Sequence, residues 1–259
     1  MPRADQLLVA GGHAPTRSAA HRLIDASAAQ WLSPKGWTTL RKAGEDLPDG
    51  TQFRVTNDAE LRWVSRAGLK LEGALAHINL NVSDWRCLDV GQSTGGFTDV
   101  LLANGASQVV GVDVGHGQLH ARLQEDTRVV CLEEVHAREL DKSTLREHAP
   151  VDGFDLIVAD LSFISLASVV PHLKTWLKPG GHVLMLIKPQ FEVGKGNVGK
   201  GGVVKDPALH ARARDMVRRA CTDLGWTVHK GFNSPIAGGD GNQEFFIWAS
   251  SSSTAPSAP

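Results

Sequence analysis

The chain has no tyrosine, only three cysteines and no long apolar run. Without tyrosine there is no phenol to act as nucleophile, general base or stacking platform. Cys87, Cys131 and Cys221 form an odd set with no metal-ligand spacing. They are expected to be core filler in a reducing compartment, with two of them in buried strands and no metal bound. No apolar stretch approaches the roughly 20 residues of a spanning helix, and the N-terminus lacks a secretory apolar core. Stable membrane insertion is therefore not expected, and a cytoplasmic location is. A basic field is missing too: 27 Lys and Arg face 28 Asp and Glu, for a net charge of −1. No overall positive charge announces a nucleic-acid partner, although a local patch suffices for phosphate contacts. What is present is ordinary for a soluble globular protein, with 42% hydrophobic and 21% charged residues. The 259 residues leave room for one medium domain and a small one.

The most informative stretch is Cys87-Leu-Asp-Val-Gly-Gln-Ser-Thr-Gly-Gly-Phe97. Cys87–Val90 reads as a short buried parallel strand. Gly91, Gly95 and Gly96 then allow a tight turn and close approach of a ligand to the backbone. Phe97–Ala103 restarts a helical pattern, so the turn delivers free N–H groups at a helix N-terminus. Strand, glycine turn and helix together make a nucleotide-type cofactor site, the alternative being a plain turn. A dinucleotide fingerprint runs G-x-G-x-x-G, whereas here Ser93 replaces the second glycine and Asp89 lies inside the strand. This more polar loop suits the zwitterionic end of S-adenosylmethionine better. Asp113, ending the next strand, is placed to take the ribose hydroxyls of either cofactor, and so does not choose between them.

Residues 1–58 differ from the rest of the chain. Arg3–Gly11 is a candidate short helix, and Thr16 or Ser18 caps a second, Arg17–Ala26, from which Arg17, His21 and Arg22 project. Gln52–Val55 is a plausible strand. From Cys87 onward strands and helices alternate, with strands expected at Cys87–Gly91, Val109–Val114, Val129–Leu132, Leu156–Asp160, His182–Ile187, Thr227–Gly231 and Glu244–Trp248. Pro207–Leu224 is the longest helix. This alternation predicts an α/β, Rossmann-like, mostly parallel sheet. No helix separates the last two strands, so they are expected to form a terminal antiparallel hairpin. That arrangement belongs to S-adenosylmethionine-dependent methyltransferases rather than to dinucleotide folds.

Open parallel sheets bind ligands outside the carboxyl ends of their strands. Asp160 and Lys188 end two apolar strands and are expected to meet there; an ion pair that merely pins two loops is the alternative. The glycine-rich loop Val193–Lys205 carries Lys195, Lys200 and Lys205 and reads as a lid, a phosphate-contacting loop or a solvated loop. Ser65–Leu75 reads as an amphipathic helix on which Lys70 would normally be a surface lysine. Glu244 reads as a simple strand entry.

Five ordered motifs carry a resemblance to a known family: Arg66-Ala-Gly-Leu-Lys-Leu-Glu-Gly-Ala-Leu75, Leu88–Thr98, Val112-Asp-Val-Gly-His-Gly-Gln-Leu119, Asp160–Leu166 and Lys188-Pro-Gln-Phe-Glu192. Together they resemble the TlyA family of FtsJ-like, S-adenosylmethionine-dependent ribosomal RNA 2′-O-methyltransferases, which often carry the name haemolysin. The resemblance implies a methyltransferase domain over 59–249, a small S4-like α+β RNA-binding domain over 1–58, and a disordered tail over 250–259. Beyond Ile24, Ala26–Gly36 departs from the family's usual S4 pattern. His136 stands where the family commonly has Asn, while Glu133 and Arg138 match.

The family's Lys-Asp-Lys-Glu catalytic set falls on Lys70, Asp160, Lys188 and Glu244. The resemblance thus gives Lys70 and Glu244 a function that spacing does not. Cofactor contacts are expected at Gly91, Ser93, Thr94, Gly95, Gly96, Phe97, Asp113, Val114, Gln118, Leu119 and Glu133. RNA contacts are expected at Arg3, Arg17, Arg22, Lys195 and Lys200, with ribosomal RNA or ribosomal subunits as partners. In the implied mechanism Lys188 is the central base for the ribose 2′-hydroxyl, and no metal is required. A nicotinamide-dependent oxidoreductase lacks its glycine and a hydride relay, and a membrane-lytic protein lacks its segment. A catalytically silent RNA-binding protein of the same fold remains the alternative.

Overall fold

The computed structural model describes residues 1–253. It contains two contact units, Met1–Arg66 and the chain from Ala67 onward, a division later than the 58/59 boundary read from the sequence.

In the first unit, helices α1 (Ala4–Ala10) and α2 (Arg17–Asp25) precede strands β1 (Ala29–Ser33), β2 (Gly36–Thr39) and β3 (Phe53–Val55). Thr16 caps α2, its side chain accepting from Ala19 N at 3.2 Å. The strands form an antiparallel sheet in the order β2-β1-β3. Leu8, Leu23, Ile24, Leu40 and Leu47 fill a separate small core. The β1–β2 hairpin is absent from the sequence reading. Its apolar alternation is too short to register, yet Trp31, Leu32, Trp37 and Thr38 are good strand residues, and Gly36 supplies φ +99° at the turn.

The second unit holds α3 (Ala67–Ile78), β4 (Arg86–Val90), α4 (Gly96–Ala103), β5 (Gln108–Val112), α5 (Ala121–Gln124) and β6 (Val129–Leu132). There follow α6 (Leu145–His148), β7 (Phe154–Ala159), α7 (Leu166–Val169), β8 (Leu177–Ile187), α8 (Pro189–Glu192), α9 (Pro207–Asp223), β9 (Thr227–Asn233) and β10 (Phe245–Ser250). The seven-stranded sheet runs β6-β5-β4-β7-β8-β10-β9. Strands β4 to β8 are mutually parallel, and β10 lies antiparallel between β8 and β9. The alternation and the terminal hairpin are thus both present. Leu88, Ile157, Val183, Met185 and Trp176 lie in the main core.

Two expectations are corrected. Cys131 is exposed rather than core filler, while Cys87 and Cys221 are buried. It lies on the edge strand β6, where the four-residue α5 covers little of the surface. The tail does not begin at residue 250. Ser250 pairs with Thr227 in the sheet, Ser251 N donates to Gly181 O at 2.9 Å, and Ser252 O accepts from Gly180 N at 3.1 Å. Residues 254–259 of that expectation lie outside the described residues. No helix among the described residues is long and apolar enough to cross a membrane.

Candidate active site

The parallel strands β4, β5, β7 and β8 all point their carboxyl ends at one region, and the turn after β4 organises it. Gly91 takes φ +86°, and a Cβ there would lie 2.6 Å from the Asp160 carbonyl oxygen, so the β4 and β7 loops touch at a point only glycine allows. Gly95 takes φ +92° and caps α4, with Leu119 and Leu123 packed where a side chain would go. Ser93 N donates to Asp113 Oδ2 at 2.8 Å, and Gly115 N donates to Asp113 Oδ1 at 2.7 Å. Ser93 Oγ donates to Gln118 Oε1 at 3.0 Å.

A cleft of about 480 Å³ results, bordered by Gly91, Ser93, Asp113, Val114, Gln118 and Asp160. That is within the range of small-molecule sites. Beneath it, Asp89 Oδ2 accepts from Thr98 N at 3.1 Å and from Thr98 Oγ1 at 2.7 Å, pinning the start of α4 to β4. Burial pushes this carboxyl up to about 7, against the Thr98 hydrogen bonds, with Asp160 and Asp113 adding to the rise. Its Oδ1 is buried without a hydrogen-bond partner.

The cleft does not gather every expected cofactor residue. Leu119 and Glu133 border a separate hollow of about 360 Å³ with Gly117, Leu123 and Cys131. The Glu133 carboxylate is engaged by Gly117 N at 2.6 Å and by His116 Nδ1 at 2.9 Å. Phe97 is buried on α4 and stacks on Phe246 at 6.3 Å. Thr94 is exposed, its carbonyl accepting from His120 N at 3.3 Å, and Gly96 is buried in the first turn of α4.

Beside the cleft stand two ion pairs. Lys188, which follows β8, places Nζ 2.6 Å from Asp160 Oδ1 and donates to Ser162 Oγ at 2.9 Å. Lys70 of α3 places Nζ 2.6 Å from Glu244 Oε2, with side-chain exposures of 9% and 3%. A lysine that spacing alone would leave on the surface is therefore buried. Charge balance makes this tolerable, since buried charges persist only when paired. Burial raises the Glu244 carboxyl above its ordinary value; Lys70 and Lys188 oppose the rise and Asp160 adds to it. The four groups sense one another and form one electrostatic cluster.

Two neighbours were not singled out as site residues from the sequence. Glu192 is buried and ties the β8 loop to the β7 loop. Its carboxylate accepts from Ser165 Oγ at 2.6 Å and Leu166 N at 2.6 Å. In the sequence it stands only as the last residue of the Lys188–Glu192 motif. Phe163 is 92% exposed at φ +64°, with its ring 5.2 Å from that of Phe191. A non-glycine residue held in that conformation carries strain. Here the strained backbone holds an aromatic ring outward, one residue from the Ser162 that touches Lys188.

In the first unit, Asp5 is buried and receives Arg3 Nε at 3.0 Å, Arg17 at 2.8 Å and His21 Nε2 at 2.9 Å. Burial opposes its ionisation, but these three hydrogen bonds prevail and hold the carboxyl well below the usual range. Arg3 and Arg17 keep 43% and 56% of their side chains exposed. Arg22 donates from Nε to Glu60 O at 3.1 Å. Lys195 and Lys200 are exposed. Among the described residues no three His, Cys, Asp or Glu side chains gather as metal ligands would.

A parallel sheet extended by the antiparallel pair β10 and β9, with a glycine turn after its first strand, defines the S-adenosylmethionine-dependent methyltransferase class. Solved structures agree on that fold: one such methyltransferase from Listeria monocytogenes matches at TM-score 0.53 and 13% identity, covering 71% of this chain and 98% of its own. Residues 63–251 match the model for FtsJ-like methyltransferases, and the chain belongs to that family, in its TlyA group. It is 45% identical over 95% of its length to the 16S/23S rRNA (cytidine-2′-O)-methyltransferase TlyA of Mycobacterium tuberculosis, covering 88% of that protein. Hemolysin A of Brachyspira hyodysenteriae is 35% identical over 94% of this chain and 97% of its own. A hemolysin-named structure from Streptococcus thermophilus superposes at TM-score 0.73 with 38% identity, over 98% of this chain and 89% of its own.

Proposed function

We propose that this protein transfers a methyl group from S-adenosylmethionine to a ribose 2′-hydroxyl of ribosomal RNA, in the cytoplasm. The observation that carries the reading is the Lys188–Asp160 and Lys70–Glu244 cluster beside the glycine-turn cleft. The cleft suits the cofactor: Gly91 borders it without a side chain, and the Asp113 carboxylate at its edge keeps lone pairs free beside those taken by Ser93 N and Gly115 N. Gly91, Ser93, Asp113, Val114 and Gln118 would hold it, with the free lone pairs of Asp113 facing ribose hydroxyls. When bound, S-adenosylmethionine supplies a methyl group already activated by its sulfonium.

The chain's own task is the nucleophile. A ribose hydroxyl is a weak acid, so its proton must be drawn off as the oxygen attacks. Lys188 Nζ accepts or stabilises that proton, with Asp160 and Ser162 fixing its position. Lys70 and Glu244 complete the network and position the ribose. Much of the gain comes from alignment. The exposed ring of Phe163 offers the attached base a stacking surface. Arg3 and Arg17, oriented by Asp5, contact RNA phosphates as part of an S4-like domain. The guanidinium nitrogens of Arg22 not committed to Glu60 add to this contact, and Lys195 and Lys200 contact RNA phosphates from the methyltransferase domain.

The test is methyl transfer from labelled S-adenosylmethionine to ribosomal RNA and intact subunits, with 2′-O-methyl sites mapped. Lys188→Ala is expected to abolish transfer and keep cofactor affinity by calorimetry. Retained turnover would remove Lys188 as the central base. Absence of any methylated ribose with the wild-type enzyme would refute the reading and favour an RNA-binding protein without catalysis.

A further inference from the structure

Between Lys195 and Arg219 the chain carries seven cations and only two carboxylates, Asp206 and Asp215, although its net charge is −1. The fold makes little use of them. Asp206 caps α9, its Oδ1 accepting from Ala208 N at 2.8 Å. Among the described residues none of the seven cations makes an ion pair. Elsewhere the chain pairs its cations readily, as in Arg122–Asp99, Arg128–Asp126 and Lys178–Asp155.

Helix α9 buries Ala213, Val217 and Cys221 and leaves Arg212, Arg214, Arg218 and Arg219 exposed. Arg214 and Arg218 are one turn apart, roughly 6 Å along the axis. Like charges at that spacing repel and weaken a helix. The Arg214 guanidinium lies 4.9 Å over the ring of Phe245, and α9 packs against α8, the short helix that directly follows Lys188. At the other end of the segment, the positive N-terminus of α9 adjoins Lys205. The result is a continuous cationic stretch that costs stability and is anchored beside the reacting groups. A polyanion is what balances it.

We propose that the exposed surface of α9, continuing from Lys200 and Lys205, is a second phosphate-binding surface for the RNA substrate, separate from Arg3 and Arg17. This rests on the reading that the substrate is RNA. The segment would follow the backbone of the strand whose ribose reaches Lys188, adding affinity and register but no base readout.

The test uses the full chain with Arg212→Gln, Arg218→Gln and Arg219→Gln combined, leaving Arg214 and the catalytic cluster intact. Affinity for ribosomal RNA is measured from 50 to 200 mM salt, beside cofactor affinity and the unfolding midpoint. Each lost phosphate contact lowers the salt slope by about 0.7–0.9. Over that fourfold salt range three contacts make the wild-type affinity fall roughly 20- to 40-fold more than that of the variant. The expected result is this flatter slope and a raised KM for RNA, with kcat and cofactor affinity unchanged and the midpoint slightly raised, because the Arg214–Arg218 repulsion is removed. An unchanged slope overturns the proposal, and does so equally if the variant instead loses binding to phosphatidylserine vesicles. Neither result touches the proposed reaction, which fails only if the wild-type enzyme methylates no ribose. A second measurement, Arg214→Gln alone, is expected to flatten the slope by about one contact.

Discussion

Replacing Gly91 with alanine measures how tightly the glycine turn is coupled to Asp160, the ion-pair partner of Lys188. Gly91 sits at φ +86°, and a Cβ there meets the Asp160 carbonyl oxygen at 2.6 Å and Leu161 Cδ2 at 3.0 Å. The left-handed backbone costs an alanine about 1–2 kcal/mol. Overpacking against backbone adds about 1–3 kcal/mol, for a total of roughly 2–5 kcal/mol. Restoring a carbon–oxygen contact of about 3.3 Å requires the β4 and β7 loops to part by about 0.7 Å. That movement carries Asp160, and with it Lys188, whose Nζ is held 2.6 Å from Oδ1. A displacement approaching 1 Å at the reacting groups costs up to about 10²-fold in rate. Gly117 is the control, because its φ is +64° but an added Cβ meets nothing within 4 Å. Gly117→Ala therefore carries strain alone, about 1–2 kcal/mol. The assays are urea unfolding and single-turnover methyl transfer at saturating cofactor. Gly91→Ala is expected to lose more stability than Gly117→Ala and to slow transfer by roughly 10- to 100-fold. Equal losses at the two positions, or wild-type turnover in Gly91→Ala, would refute the coupling.

Asp89 links stability to pH. Its folded carboxyl is pushed up to about 7 by burial, so the folded state holds the proton more tightly than the unfolded chain. The stability this provides is present below the ordinary value near 4 and is lost as pH rises through about 7. Asp89→Asn is expected to flatten that decline in urea titrations; parallel curves for the two proteins would count against it. Glu192→Gln removes a carboxylate acceptor from Ser165 and Leu166, and is expected to cost about 1–3 kcal/mol and to lower kcat with cofactor affinity kept. A normal kcat would show that the two loops hold their places without it. Phe163→Ala is expected to raise KM for RNA without changing cofactor affinity; an unchanged KM would remove the ring from substrate binding.

How much of the fold and the site is legible in the sequence depends on how locally each feature is written. Helix α9 and the strands from β4 to β10 announce themselves through period and punctuation, and each lies within a few residues of its expected place. The glycine turn is equally plain, because Gly91 and Gly95 both adopt the positive φ that the motif requires. The β1–β2 hairpin is not visible, being strands of five and four residues whose outer face mixes Trp37, Leu32 and polar groups. Cys131 misleads for a related reason: apolar neighbours in sequence do not show whether a strand is central or at the edge. Lys70 is the sharpest case. By itself its helix reads as an ordinary amphipathic one, and nothing local marks this lysine as the one that is buried. What buries it is Glu244, 174 positions away in the chain, and only the family resemblance joins the two.

Distance in the chain likewise hides the supports of Asp160 and Lys188, although those two charges are themselves legible. Asp160 and Lys188 end strands that the parallel sheet is bound to bring together, so topology alone makes them neighbours. Holding them within 2.6 Å of each other is a different requirement, because both sit on connections rather than in the ladder. Glu192 meets it on one side by capping α7 from the β8 loop. On the other side Asn242, fully buried, accepts from Val204 N at 2.8 Å and donates to Gly202 O at 2.9 Å. It thereby fastens the glycine-rich loop to the segment that ends in Glu244. Each support commits a buried polar side chain to backbone groups of another loop, which is costly unless every partner is present. A site assembled this way has its reacting groups fixed before substrate arrives, and alignment is the larger part of what this reaction needs.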